Sequence, residues 1–303
     1  MSINIRGTLE MTSAMVISGT IGWLVVLSGR PVTEVVFWRC LFGAATLIPV
    51  CAAMGLLRRG QMTRRQLLLA ILGGVAIVAN WLLLFAAYSR ASISIATAVY
   101  NTQPFMLVGL GALFLRERLT WSKLGWLVLS FVGVVLIVQA RSDAGVGGSD
   151  YLTGILMALG AAFFYAIAAL ITKGLKGVPP HLIALVQVLV GAVLMLPAAL
   201  QNTDSIAPGS WALLVTLGIV HTGFMYILLY GAIQKLPTHL TGALSFIYPA
   251  VAFLVDALAF GHHLHLVQIV GVAAILVAAA GMVLGFSWSS LGWIKGFGRK
   301  RSA

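Results

Sequence analysis

Apolar stretches follow one another along almost the whole chain, at 9–28, 32–56, 66–88, 92–115, 121–139, 152–173, 180–200, 210–233, 238–260 and 266–286. Each has roughly 18 to 24 residues, enough for a helix to cross a hydrocarbon core of about 30 Å. No polar surface could cover so many, because only 9% of residues are charged while 60% are hydrophobic. Ordinary soluble domains carry about 25% charged residues. The expected fold is therefore an all-α polytopic membrane protein with ten transmembrane helices. The first stretch lacks a small-x-small cleavage pattern and reads as a span, not as a removed leader.

The links hold nearly all of the 19 Lys and Arg residues that give the net charge of +12. With the N-terminus inside, Arg6, Arg58, Arg59, Arg64, Arg65, Arg116, Arg118, Lys123, Lys173, Lys176, Lys235, Lys295, Arg299, Lys300 and Arg301 fall on the cytoplasmic side. Only Arg30, Arg90 and Arg141 fall opposite, and Arg39 lies inside a span. This bias follows the positive-inside rule and places both termini in the cytoplasm. Orientation thus accounts for the basic balance, and no nucleic-acid partner is expected. Cys40 and Cys51 sit within an apolar stretch without paired spacing, so they read as packing residues. The tail "KGFGRKR" (295–301) reads as an anchor to lipid headgroups.

The halves of the chain resemble each other. At an offset of 148, Pro31 meets Pro179, Arg39 meets Gln187, Gly43 meets Gly191 and Pro49 meets Pro197. At an offset of 145, Trp81 meets Tyr226, Phe85 meets Tyr230, Arg90 meets Lys235 and Pro104 meets Pro249. The expected units are a five-helix repeat over 1–140, a linker at 141–150, a second five-helix repeat over 151–288 and a basic cytoplasmic tail over 289–303. An odd number of spans per repeat inverts one half relative to the other, with a central cavity expected where they meet.

The ten spans, the Arg39-x-x-x-Gly43 pattern of the second and the ending "LFLRERLT" (113–120) of the fourth resemble the EamA-type branch of the drug/metabolite transporter superfamily. Within that branch the overall character is most similar to bacterial exporters of aromatic and other amino acids. The resemblance implies a bacterial inner-membrane carrier of small molecules that needs no cofactor and can act as a monomer in contact with lipid. The family acid falls on Glu117 in the first half, whereas His262 stands in its place in the second.

Several polar or bent positions fall inside apolar spans, where they cost most. "VYNTQP" places Tyr100, Asn101, Gln103 and Pro104 midway through the fourth span, and Ser245, Tyr248 and Pro249 occupy the related part of the ninth. A proline frees a carbonyl that lipid cannot satisfy, so such sites are either packed kinks or cavity linings. Tyr100, Gln103 and Pro104 fall on one face by three- and four-residue spacing, so one stripe can look into a shared lumen. Asn80 and Trp81 in the third span, with His221 and Tyr226 in the eighth, form a second related set. Flat aromatic walls with polar edges suit an amphipathic ligand, although aromatic packing between helices explains the same residues. Trp23, Phe164 and Tyr165 are weaker candidates. Intramembrane charges are few. Arg39 reads as an anchor on helix-end carbonyls or as a carboxylate contact, with Glu34 available as its partner. Asp256 reads as a carboxylate snorkelling to the outer interface, with a coupling role as the alternative. His221 reads as a hydrogen-bonded structural residue or a proton relay.

No G-x-x-x-x-G-K-[ST] loop is present to bind ATP, so a gradient or the substrate itself must supply the energy. No H-E-x-x-H pattern or clustered acids suggest a membrane enzyme, and no ring of like charge suggests a channel. The turn "GHHLH" (261–265) lacks the four-residue spacing of helical metal pairs, and no metal site is expected. A secondary transporter exporting amino acids or similar metabolites remains, with a multidrug or other metabolite carrier as the alternative.

Overall fold

In the computed structural model of the protein, residues 3–58, 60–103, 105–106, 109–110, 121–139, 149–175, 177–201, 205–235, 244, 247–261 and 265–286 are described. Their regular structure is helical throughout. The first expected span is two helices, α1 (Ile3–Gly19) and α2 (Ile21–Leu27), separated at Thr20. They are followed by α3 (Val32–Ala53), α4 (Arg64–Ala91) and α5 (Ile93–Tyr100). Next come α6 (Trp121–Gln139), α7 (Ser149–Gly174) and α8 (Pro180–Gln201). The eighth span comprises α9 (Pro208–Gly218), a π-helical turn (Ile219–Phe224) and α10 (Met225–Lys235). The last two helices are α11 (Ile247–Phe260) and α12 (Leu266–Leu284).

Among the described residues, six helical segments are long and apolar enough to cross a membrane: Ile5–Leu27, Val32–Ala53, Arg64–Ala91, Asp150–Thr172, Pro180–Gln201 and Pro208–Leu229. Three shorter apolar helices span Leu124–Leu136, Ile247–Phe260 and Leu266–Ala278. The ends are set by local chemistry. α4 opens with a capping box in which the Thr63 hydroxyl accepts from the Gln66 backbone N–H at 3.2 Å and the Thr63 N–H donates to Gln66 Oε1 at 2.8 Å. α9 opens on Pro208, whose missing N–H is no loss in a first turn.

The break before α5 falls in the expected link between the third and fourth stretches. Ser92 has φ of 68°, unfavourable for a side-chain-bearing residue, and its hydroxyl accepts from the Ile95 N–H at 3.3 Å. Tyr100 ends α5, and Asn101 and Thr102 form a turn. Tyr100 and Gln103 therefore do not lie on one continuous helical face as their spacing suggested.

Packing joins the halves. The most extensive helix pairs are α4 with α7, α6 with α12, α3 with α8, and α1 with α10. α3 also packs on α9 and the π-turn, α4 on α8, α1 on α11, and α5 on both α7 and α11. Glycine permits the closest approaches. A Cβ on Gly191 would meet Cys40 Sγ, and one on Gly218 would meet the Cβ of Phe42. The outward faces are apolar, with Leu200 at 72% and Leu258 at 78% exposure, as a lipid-facing surface requires.

Candidate substrate site

Arg39 lies on α3 and is only 2% exposed. Its guanidinium sits 4.4 Å from the centre of the Trp81 ring and 5.5 Å from that of Phe85, both on α4. Such a stack is worth about 2 kcal/mol when water is excluded. Its Nε donates to Thr222 Oγ1 at 2.8 Å, and Nη2 donates to the His221 carbonyl at 3.4 Å. Tyr88, Tyr100 and Tyr226 are within electrostatic reach. Arg39 thus ties α3 and α4 to the π-turn between α9 and α10.

The π-turn makes this contact available. The Thr222 hydroxyl donates to the Leu217 carbonyl five residues back at 3.0 Å, and His221 Nδ1 lies 3.2 Å from the Thr216 carbonyl. That carbonyl places a proton on Nδ1. Nε2 lies 2.9 Å from the Thr20 hydroxyl, which also donates to the Ile17 carbonyl at 2.8 Å, at the break between α1 and α2.

A second polar group lies beside Trp81. Asn80 is 1% exposed, and its Nδ2 donates to the Ala161 carbonyl at 2.8 Å and to Tyr100 Oη at 3.3 Å. The Tyr100 ring meets Tyr165 edge to face, with centroids 5.9 Å apart. Past the end of α5, Asn101 Nδ2 folds back onto the Thr97 carbonyl at 2.7 Å. Thr102 Oγ1 and Gln103 Oε1 are buried without a hydrogen-bond partner among the described residues. Buried polar atoms left this way are uncommon and costly.

Tyr226 on α10 and Tyr100 on α5 both interact electrostatically with Arg39, while Tyr248 on α11 is in reach of Tyr88 and Tyr100. Pro249 is buried beside Tyr248. Pro104, Ser245, Glu117, His262 and the basic tail lie outside the described residues. Trp23 is 38% exposed.

Two acids differ from expectation. Asp256 is 0% exposed and does not snorkel: its Oδ2 accepts the Ser94 N–H at 2.9 Å, in the first turn of α5. The break at Ser92 created that helix N-terminus, where a carboxylate is favoured. Glu34 pairs with Arg30, at 2.6 and 2.9 Å, and not with Arg39. Arg30 precedes the N-cap of α3 and reaches Glu34 in its first turn, which makes it the nearer cation. Glu10 pairs with Arg6 at 3.1 Å and with Lys235 of the other half at 2.8 Å.

The residues that sequence reasoning missed here are Thr222, Thr20, Phe85 and Tyr88. Their available signal was a hydroxyl directly after His221 between two glycines, Gly218 and Gly223. Among the described residues, no group of three or more His, Cys, Asp or Glu could hold a metal.

Comparison with known proteins agrees with this architecture. The chain is 31% identical to the uncharacterized transporter YxxF of Bacillus subtilis (strain 168), over 91% of this chain and 88% of that protein. It is 28% identical to the threonine/homoserine exporter RhtA of Escherichia coli (strain K12), over 75% of this chain and 74% of RhtA. One protein of known crystal structure shares the fold, with a TM-score of 0.68 at 19% identity, covering 93% of this chain and 97% of the other. The model of the EamA-like transporter family matches residues 6–139 and again 152–284. With both halves matched, this polytopic membrane protein belongs to the EamA-like transporter family.

Proposed function

We propose that the protein is a secondary carrier that exports amino acids or similar small amphipathic metabolites across a bacterial inner membrane by alternating access. In this reading residues 1–140 and 151–288 are inverted five-helix repeats, joined by 141–150 and followed by a cytoplasmic tail. The ligand occupies their meeting place, among Asn80, Trp81, Tyr100, Asn101, Gln103, Pro104, His221, Tyr226, Ser245, Tyr248 and Pro249.

The observation that carries the reading is the exchange pattern of the contacts. α4 packs on α7 as α10 packs on α1, and α4 meets α8 as α9 and the π-turn meet α3. Each pair is the other with the halves interchanged, as expected of two repeats that can rock about a common axis. The contacts of Arg39 on α3 with Thr222 and His221 in the π-turn support a ligand site between the two halves. Similarity to RhtA, a threonine/homoserine exporter, favours amino acids over drugs as cargo.

Counterflow in proteoliposomes loaded with a panel of radiolabelled amino acids tests this. Saturable exchange of at least one is expected. Non-saturating flux identifies a channel, and no flux of any amino acid removes the substrate assignment.

A further inference from the structure

We propose that Arg39 is the receptor for a carboxylate on the transported molecule, which makes the carrier selective for monocarboxylate-bearing ligands. The inference deepens the function proposed above and rests on its placement of the ligand.

A guanidinium carries five N–H donors, and a buried one is costly unless its charge is matched. Arg39 uses Nε on Thr222 and one long Nη2 contact on the His221 carbonyl. Both partners lie towards the Nε side. The edge formed by Nη1 and the second Nη2 hydrogen has no acceptor among the described residues, and that edge fits the two oxygens of a carboxylate. An anchor alone would spread its donors over more carbonyls.

Among the described residues no acid pairs with Arg39: Glu34 is held by Arg30, Asp256 accepts the Ser94 N–H and Glu10 is held by Lys235. The rings of Trp81 and Phe85 cover the guanidinium and exclude water from it, but they supply no counter-charge. A ligand carboxylate would, and Tyr100 and Tyr226 stand close enough to Arg39 to border the remainder of the same molecule. Because Thr222 and His221 belong to the other half, occupation of the free edge would be felt directly at the contact between repeats.

The test measures binding to the full-length protein in detergent by ligand-induced thermal stabilisation. The probes are L-phenylalanine and L-threonine against their amides, and 3-phenylpropionate against its amide. Each acid is expected to bind at least tenfold more tightly than its amide, with the difference lost in Arg39→Gln and reduced in Arg39→Lys. Equal binding of an acid and its amide by the wild-type protein overturns the proposal, as does binding of none of the acids. So does discrimination that persists in Arg39→Gln. If that variant fails to fold, the wild-type comparison and Arg39→Lys still decide: full discrimination retained with lysine overturns the bidentate role. Selective binding of 3-phenylpropionate without either amino acid supports Arg39 while removing amino acids as cargo, so the two readings fail separately.

Discussion

At the residue scale, Asn80 and Tyr100 separate the stability of the site from its use. Asn80 donates to the Ala161 carbonyl and the Tyr100 hydroxyl from a position 1% exposed. Asn80→Ala strands both partners in a dry interior, and a loss of about 1–3 kcal/mol is expected. Tyr100→Phe removes only the longer, 3.3 Å contact of Asn80, which keeps the Ala161 carbonyl, and leaves the ring against Tyr165, so a smaller fall in melting temperature is expected. If the hydroxyl meets the ligand, the counterflow rate of Tyr100→Phe nonetheless falls several-fold. Thermal melts in detergent beside flux measurements distinguish the two variants, and unchanged flux in Tyr100→Phe would remove its hydroxyl from the site. Trp81 calls for the same restraint. It is 5% exposed under Arg39, and truncation to alanine would open a cavity costing about 3–5 kcal/mol. Trp81→Phe is the informative change there.

At the element scale, the short helix α5 is held by two devices at its first turn, the Ser92 hydroxyl on the Ile95 N–H and Asp256 on the Ser94 N–H. Asp256→Asn keeps the shape of the cap but removes its charge from a helix N-terminus, where charge is worth about 0.3–2 kcal/mol. A correspondingly lower melting temperature is expected, and no change would mean that the carboxylate acts elsewhere. Sequence made the spans themselves legible because hydrocarbon thickness fixes their length: the described ends of α3, α4, α6, α7, α8 and α12 lie within a few residues of the apolar stretches. It did not expose the interruptions at Thr20, after Tyr100 and at the π-turn, nor the backbone geometry of the link at Ser92. Ser92 in "RASIS" carries no glycine to announce a positive φ, and the π-turn has no compositional mark beyond two glycines. The same limit applied to the site. Asn80, Trp81, Tyr100 and Tyr226 stood out because polar and aromatic residues cost most in mid-span. The partners of Arg39, Glu34 and Asp256 depend on which helices touch, and a single chain's periodicity does not carry that information.

At the scale of the whole molecule, the contact between α5 and α11 joins the fourth span of one half to the ninth of the other, near the ends that the positive-inside assignment places outside. Asp256 and the Ser94 backbone meet there at 2.9 Å, both buried. A carrier that rocks its halves must part this seam to open outward, whereas a channel with a fixed outer wall need not. The pair Ser94→Cys and Asp256→Cys turns that difference into a measurement. The native Cys40 and Cys51 are as buried as this pair, so the measurement is made with both replaced by alanine. Oxidation of the double variant in proteoliposomes should form a disulfide and lower counterflow at least tenfold, and reduction should restore it. Neither single variant should respond to oxidant, and because Ser94 donates through its backbone N–H, Asp256→Cys alone reports the effect of the lost cap. Full flux through the disulfide-linked protein would show that the seam stays shut during transport. Opening would then have to run along another boundary, such as that between α4 and α7.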